Sequence, residues 1–228
     1  MQNILLIHGA LGARQDLQPL GEVLKKAGLK VFSFSFSGHG TEGFQEDFSI
    51  AQFTIELKNF ILKSELAALS VFGYSLGGYV ALNLAASESG LIHKIITLGT
   101  KFNWSTESVE KETKQLNPEI ISQKVPAFAK SLEDKHGLAW KELMHKTADL
   151  MRDINMVDYL KTDILKKITI PVLIGISDRD QMVSLSETTE VFKTLPLCSM
   201  FMLPGSKHQF ETIDHLLLSQ MIKTFIAP

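Results

Sequence analysis

Apolar side chains fall along this chain in two alternating rhythms. Short apolar runs over residues 3–8, 30–36, 69–74, 92–98, 171–176 and 199–203 predict six strands. In the second run Phe32, Phe34 and Phe36 alternate with Ser33 and Ser35, as on a strand with one packed face. Helical spacing fills the gaps. Leu17, Leu20, Val23 and Leu24 form one stripe, and Ile50, Phe53, Ile55, Leu57, Phe60 and Ile61 form another. Residues 76–87, 186–195 and 208–225 predict three more helices. Strand and helix in regular alternation imply an α/β protein, a mostly parallel sheet of about six strands between two helical layers. Right-handed crossovers then decide which face each helix covers.

The rhythm breaks between Thr100 and Ile168, where no strand is evident and the pattern is helical and charged. A structureless loop of that length is improbable inside a compact domain. The expected organisation is a core made of residues 1–100 and 168–228, with residues 101–167 forming a helical cap inserted over the sheet. Both tryptophans, Trp104 and Trp140, fall in the insert. Either they pack its core or they line an apolar pocket beneath it. Residues 66–86 carry no charge, long enough to suggest a membrane span. A β-rich start that turns helical midway instead predicts a buried central strand followed by a buried helix.

Composition narrows the partners. The 228 residues are 45% hydrophobic and 21% charged, with a net charge of −2, which gives no footprint for nucleic acid or an anionic membrane. The single Cys198 lies in an apolar run and is expected to be a buried strand thiol. One cysteine permits no disulfide framework, and the first residues show no basic n-region, so a cytoplasmic location is expected. No metal-binding run such as His-Glu-x-x-His is present and no cofactor is implied. Oligomeric state is not written in the pattern.

The chemistry centres on Gly73-Tyr74-Ser75-Leu76-Gly77, set where the third strand meets the third helix. A serine on so sharp a turn is held in a strained conformation with its hydroxyl raised above the sheet edge, and neighbouring glycines let strand and helix nearly touch. An activated serine needs a base, a group that orients the base, and donors for an oxyanion. Of seven histidines, His208 alone follows a strand end downstream of a suitable acid. Asp178 and Asp180 both follow the fifth strand, and either can orient His208 while the other pairs with Arg179. His8 and His39 neighbour glycines at strand ends, which predicts loop hydrogen bonding, whereas His93, His136, His145 and His215 have no evident partner. The oxyanion donors are expected to be the Leu76 N–H and one from the loop His8-Gly9-Ala10-Leu11-Gly12, Ala10 first and Leu11 second. Leu11, Tyr74, Trp104 and Trp140 are the expected pocket lining.

Taken together these motifs resemble the α/β-hydrolase superfamily across nearly the whole chain. The order Ser75, Asp, His208 is that fold's order. The resemblance extends to His8-Gly9, to Ser37-Gly38-His39-Gly40 and to the loop from Gly205 to His208. It implies an acid in the pattern Gly-x-x-Asp-x-x-Val. Aligning on Val183 picks Asp180 and aligning on Gly175 picks Asp178; the length of the fifth strand favours Asp180. Many relatives have two more strands ahead of the His-Gly strand, so a trimmed sheet is expected here. The closest resemblance is to small cap-bearing bacterial serine hydrolases of the carboxylesterase type. The implied function is cleavage of a carboxylic ester or related small acyl compound through an acyl-enzyme on Ser75. Two alternatives stand beside it: a carbon–carbon bond lyase or hydrolase with the same triad, similar to the menaquinone-pathway lyase, and a non-catalytic ligand-binding module on the same fold. That lyase usually has an arginine after the Ser-x-Gly-Gly run, where this chain has Tyr79 and only three arginines in all, which argues against a dianionic substrate.

Overall fold

The computed structural model describes residues 2–66 and 68–227. Its centre is a six-stranded sheet, β1 (Asn3–Ile7), β2 (Lys30–Phe34), β3 (Ser70–Tyr74), β4 (Lys94–Leu98), β5 (Val172–Ser177) and β6 (Cys198–Leu203), in the order β2-β1-β3-β4-β5-β6. Every neighbouring pair is parallel. Strand order reverses beside β1 and β3, and at such a switch point the strand ends open a crevice.

Successive residues of each strand divide between two cores. Leu5, Ile7, Val71, Ile95, Val172 and Ile174 join one cluster with Phe53, Leu57 and Ile61 of α2 (Ile50–Ser64) and Val80 and Leu84 of α3 (Leu76–Ser87). Ile4, Leu6, Phe72, Ile96 and Leu173 join the other. There they meet Leu20 and Leu24 of α1 (Gln18–Lys26) and Leu218, Ile222 and Ile226 of the C-terminal helix. This period-two division makes the three-layer architecture, and it explains the charge-free stretch after residue 66: β3 is central and α3 is buried from Leu76 to Leu82. Among the described residues no helix is long and apolar enough to cross a membrane.

Two sequence expectations need correction. The C-terminal helix begins at His215 rather than residue 208, because Asp214 caps it by accepting from the Leu216 and Leu217 amides. His208 therefore sits in an irregular loop that contains a short 3₁₀ turn, Phe210–Thr212. Cys198 is half-buried at the start of the edge strand rather than fully buried, and burial pushes its thiol up to about 12.

Between β4 and β5 the chain forms five helices: α4 (Thr106–Thr113), α5 (Pro118–Lys124), α6 (Pro126–His136), α7 (Trp140–Val157) and α8 (Thr162–Leu165). With α9 (Leu185–Thr194) and α10 (His215–Ile226) they complete the helical set. His136 ties this inserted segment to the core. Its Nδ1 accepts the Gly40 amide at 2.8 Å and its Nε2–H donates to the Leu11 carbonyl at 3.0 Å. Lys135 adds an ion pair to Asp16 at 2.8 Å. His8 and His39 lie beneath, their ring centroids 4.9 Å apart. His8 donates from Nδ1 to the Gly9 carbonyl and accepts the Phe36 amide on Nε2, and His39 Nδ1 donates to the Ser37 carbonyl, as expected for loop histidines.

All three rings are held neutral. Burial pushes His8 down to about 4 and His39 well below the usual histidine range, and it lowers His136 as well. In the unfolded chain each titrates near 6.5. Below that value the unfolded state binds more protons than the native state, so stability falls as pH falls. We expect urea-unfolding free energy to be highest above pH 6.5 and to decline steadily from pH 7 to pH 5, where carboxylates still contribute little. An unchanged midpoint across that window would contradict this assignment.

Candidate active site

Ser75 sits between the last residue of β3 and the first of α3 with φ 51° and ψ −116°, a backbone region that side chains other than glycine rarely occupy. Such a conformation costs on the order of 1–3 kcal/mol and persists only where its surroundings over-determine it. Here they do. The Ser75 amide donates to the Leu98 carbonyl at 2.9 Å, and the Ser75 carbonyl accepts from Gly78 at 3.0 Å and from the Thr100 hydroxyl at 3.1 Å. Close backbone approach requires the flanking glycines. A Cβ on Gly77 would stand 2.6 Å from the His8 and Ile7 carbonyl oxygens, and one on Gly73 would stand 2.6 Å from the Gly77 carbonyl carbon.

The Ser75 hydroxyl lies 3.3 Å from His208 Nε2, and His208 Nδ1 lies 2.8 Å from Asp180 Oδ2. The other Asp180 oxygen accepts the Met182 and Val183 amides, each at 2.9 Å. Burial by itself raises the Asp180 carboxyl. The hydrogen bond and charge of His208, with the Val183 and Met182 amides, outweigh it and leave the group below the usual carboxylate range. Asp180 is therefore an anion that fixes the His208 ring with its proton on Nδ1 and its lone pair toward Ser75.

Asp178 lies away from this chain of contacts. Its Oδ1 accepts the Ser206 amide at 3.2 Å, so it joins the turn after β5 to the loop after β6 rather than pairing with Arg179. Tyr74 supports His208 from below, its hydroxyl donating to the His208 carbonyl. Gly99, which the sequence reading passed over, is as important. It has φ 63°, and a Cβ there would lie 3.3 Å from His208 Cε1 and 3.5 Å from Asp180 Oδ2.

A cavity of about 150 Å³ opens over Ser75. Of the residues expected to line a pocket, Leu11, Tyr74 and Trp104 border it, and Ala10 and Leu76, named for their amides, border it too. Leu76 heads α3, where its amide has no carbonyl partner within the helix. Leu11 carries φ 55° and its carbonyl is held by His136, which makes that histidine a support of the Ala10–Leu11 loop. Trp140 is a correction. It packs with Ala129, Leu132 and Met144 behind Leu11, in the hydrophobic centre of the inserted helices, and does not reach the cavity. The far wall comes instead from Thr147, Leu150, Met151 and Ile154 of α7, an amphipathic stretch whose inward face sequence spacing could not orient.

Lys101 is the one cation on the cavity wall among the described residues. It is buried, donates to the Met182 carbonyl at 2.8 Å and faces buried Glu112 at 3.9 Å. Those contacts link α4 to the turn that carries Asp180, and truncating either partner would strand a buried charge.

With this geometry in view, similarity to known proteins can be weighed. A family model described as serine aminopeptidase, S33 matches residues 1–212. The sn-1-specific diacylglycerol lipase ABHD11 of Xenopus tropicalis is 22% identical over 96 residues, a match that spans 42% of this chain and only 30% of that lipase. The solved structure of E-2-(acetamidomethylene)succinate hydrolase superposes with a TM-score of 0.80 at 18% identity, covering 99% of this chain and 91% of that one. The monoacylglycerol lipase of Paleococcus ferrophilus does so with a TM-score of 0.70 at 17% identity, covering 98% and 93%. Structural likeness at such identities speaks to the fold. The family match spans nearly the whole of the six-stranded parallel core, and by it the chain belongs to the serine aminopeptidase S33 family of α/β hydrolases.

Proposed function

We propose that this protein is a serine hydrolase that cleaves a short-chain carboxylic ester or related acyl compound. The observation that carries the reading is the unbroken contact series Asp180–His208–Ser75 on the floor of an apolar cavity. Ser75 Oγ attacks the substrate carbonyl while His208 Nε2 takes its proton. Asp180 stabilises the imidazolium that forms. The Leu76 and Ala10 amides receive the oxyanion, and a donor of this kind lowers the barrier by about 3–4 kcal/mol. His208 then gives its proton to the leaving oxygen, and the acyl group stays on Ser75. Water deprotonated by His208 attacks this ester, and His208 returns that proton to Ser75 Oγ as the acid leaves. The inserted helices act as a cap, and α7 supplies the surface against which the acyl chain rests.

A cavity of about 150 Å³ accepts a benzene-sized group, about six heavy atoms. Longer chains must displace packed α7 side chains, at a cost of about 1–3 kcal/mol. The kcat/KM for p-nitrophenyl butanoate and hexanoate is therefore expected to exceed that for the dodecanoate by about tenfold or more. A flat profile across these lengths would contradict the cavity's role.

Two aspartates in one turn give a sharper test. D180N should lower kcat on p-nitrophenyl butanoate on the order of 10⁴-fold, because the amide selects the wrong His208 tautomer. D178N should leave kcat near that of the parent while lowering stability by about 1 kcal/mol for the weakened Ser206 contact. Equal losses in the two variants would overturn the assignment of Asp180, and unchanged turnover in S75A would overturn the hydrolase reading itself.

A further inference from the structure

Arg179 was expected to pair with whichever aspartate of its turn His208 leaves free, and the structure gives it no such partner. Asp178 accepts the Ser206 amide, while Asp180 serves His208 and two backbone amides. Among the described residues neither the Arg179 guanidinium nor the Lys207 ammonium has a hydrogen bond or an ion pair. Their backbones, by contrast, are fixed. The Arg179 amide donates to the Ser206 carbonyl at 3.0 Å, and the Lys207 amide donates to the Thr212 hydroxyl at 3.0 Å. These bonds join the turn after β5 to the loop after β6 and set both exposed side chains on the wall of one groove. The groove holds about 570 Å³. It meets the cavity over Ser75 at His208 and Met182, which border both. Lys111 enters it from α4, its ammonium 3.4 Å from the Gln181 carbonyl. Glu112 is the one carboxylate on its wall among the described residues, and it already faces Lys101 at 3.9 Å and Lys111 at 4.0 Å. Apart from Met182 the rest of the lining is polar and uncharged, whereas the cavity over Ser75 is mostly apolar.

Acyl transfer divides a substrate between these two spaces. His208 hands its proton to the leaving oxygen, so the leaving group stands beside His208 while the acyl chain rests against α7. We propose that the groove binds the leaving group and that this group carries a phosphate: the substrate is a short acyl ester of a phosphorylated alcohol. The Arg179 fork matches two phosphate oxygens, and Lys207 and Lys111 add point charges around the third. A carboxylate, with one charge and two oxygens, would engage the fork and leave the lysines unmatched. The lack of an arginine at position 79 bears on the acyl cavity, which Tyr79 lines, and not on this groove. The inference rests on the reading of Ser75 as the acyl acceptor.

The test uses three esters that share the butanoyl group and differ in the alcohol: 3-hydroxypropyl phosphate, 4-hydroxybutanoate and 1,3-propanediol. In low salt the native protein should favour the phosphate ester over the diol ester in kcat/KM by about tenfold, the combined worth of two or three exposed charge pairs. The carboxylate ester should gain less. Screening at high salt should shrink the preference toward unity. R179Q and K207Q should each cut it severalfold and the double variant should abolish it, with turnover of the diol ester and the melting temperature unchanged. Three results would overturn the proposal while leaving Ser75-dependent turnover of p-nitrophenyl butanoate intact: equal rates for the phosphate and diol esters, a gain with the carboxylate as large as with the phosphate, or a preference that survives the double variant. Hydrolysis of every ester by S75A as fast as by the parent would instead sink the hydrolase reading and this proposal with it.

Discussion

Helix α3 approaches the sheet so closely that backbone meets backbone. Gly77 rests against the carbonyls of Ile7, which ends β1, and of His8, which follows it, and Gly73 faces the same helix from β3. That contact dictates the turn between β3 and α3, and the turn dictates the φ and ψ of Ser75. Strain at Ser75 is distributed over hydrogen bonds to Leu98 at the end of β4, to Thr100 just beyond it and to Gly78 in the first turn of α3. The same packing places the loop after β1 beside the serine: a Cβ on Gly9 would be 3.0 Å from the Ser75 Cβ. The positions of Ser75, of the loop after β1 and of the floor of the cavity therefore follow from one steric constraint.

Asp180 and His208 reach that floor from the other side of the sheet. Asp180 hangs from β5 and His208 from the loop after β6, so parallel register alone brings them to the strand ends near Gly99. Their mutual fit depends on a second tier of contacts. Tyr74 holds the His208 backbone, Lys101 holds Met182 beside Asp180, and Asp178 joins the two loops. Each of these contacts limits how far the Asp180 and His208 side chains can drift.

What was legible in the sequence was local or periodic. Short apolar runs in β1 and β3 set between the helical stripes of α1 and α2 announced the parallel sheet, and the family match and topology bear out that reading. Ser75 stood out because strand, turn and helix signals abut within a few residues. The region from 101 to 167 was harder. Helical spacing showed that helices form there but not which side meets the sheet, so Trp140 and Trp104 looked alike although one packs with Leu132 and the other lines the cavity. His136 had no evident partner because its partners are backbone groups of Leu11 and Gly40, far away in the chain.

Whether Ser75 is an activated nucleophile is the central question, and a fluorophosphonate probe addresses it without knowledge of the substrate. The probe reacts only with a serine whose proton is withdrawn by a neighbouring base. A stoichiometric adduct is expected that maps to the peptide containing Ser75, absent in S75A and strongly slowed in H208A. A folded, unmodified protein that remains unlabelled at neutral pH, or one labelled equally well in S75A, would contradict it.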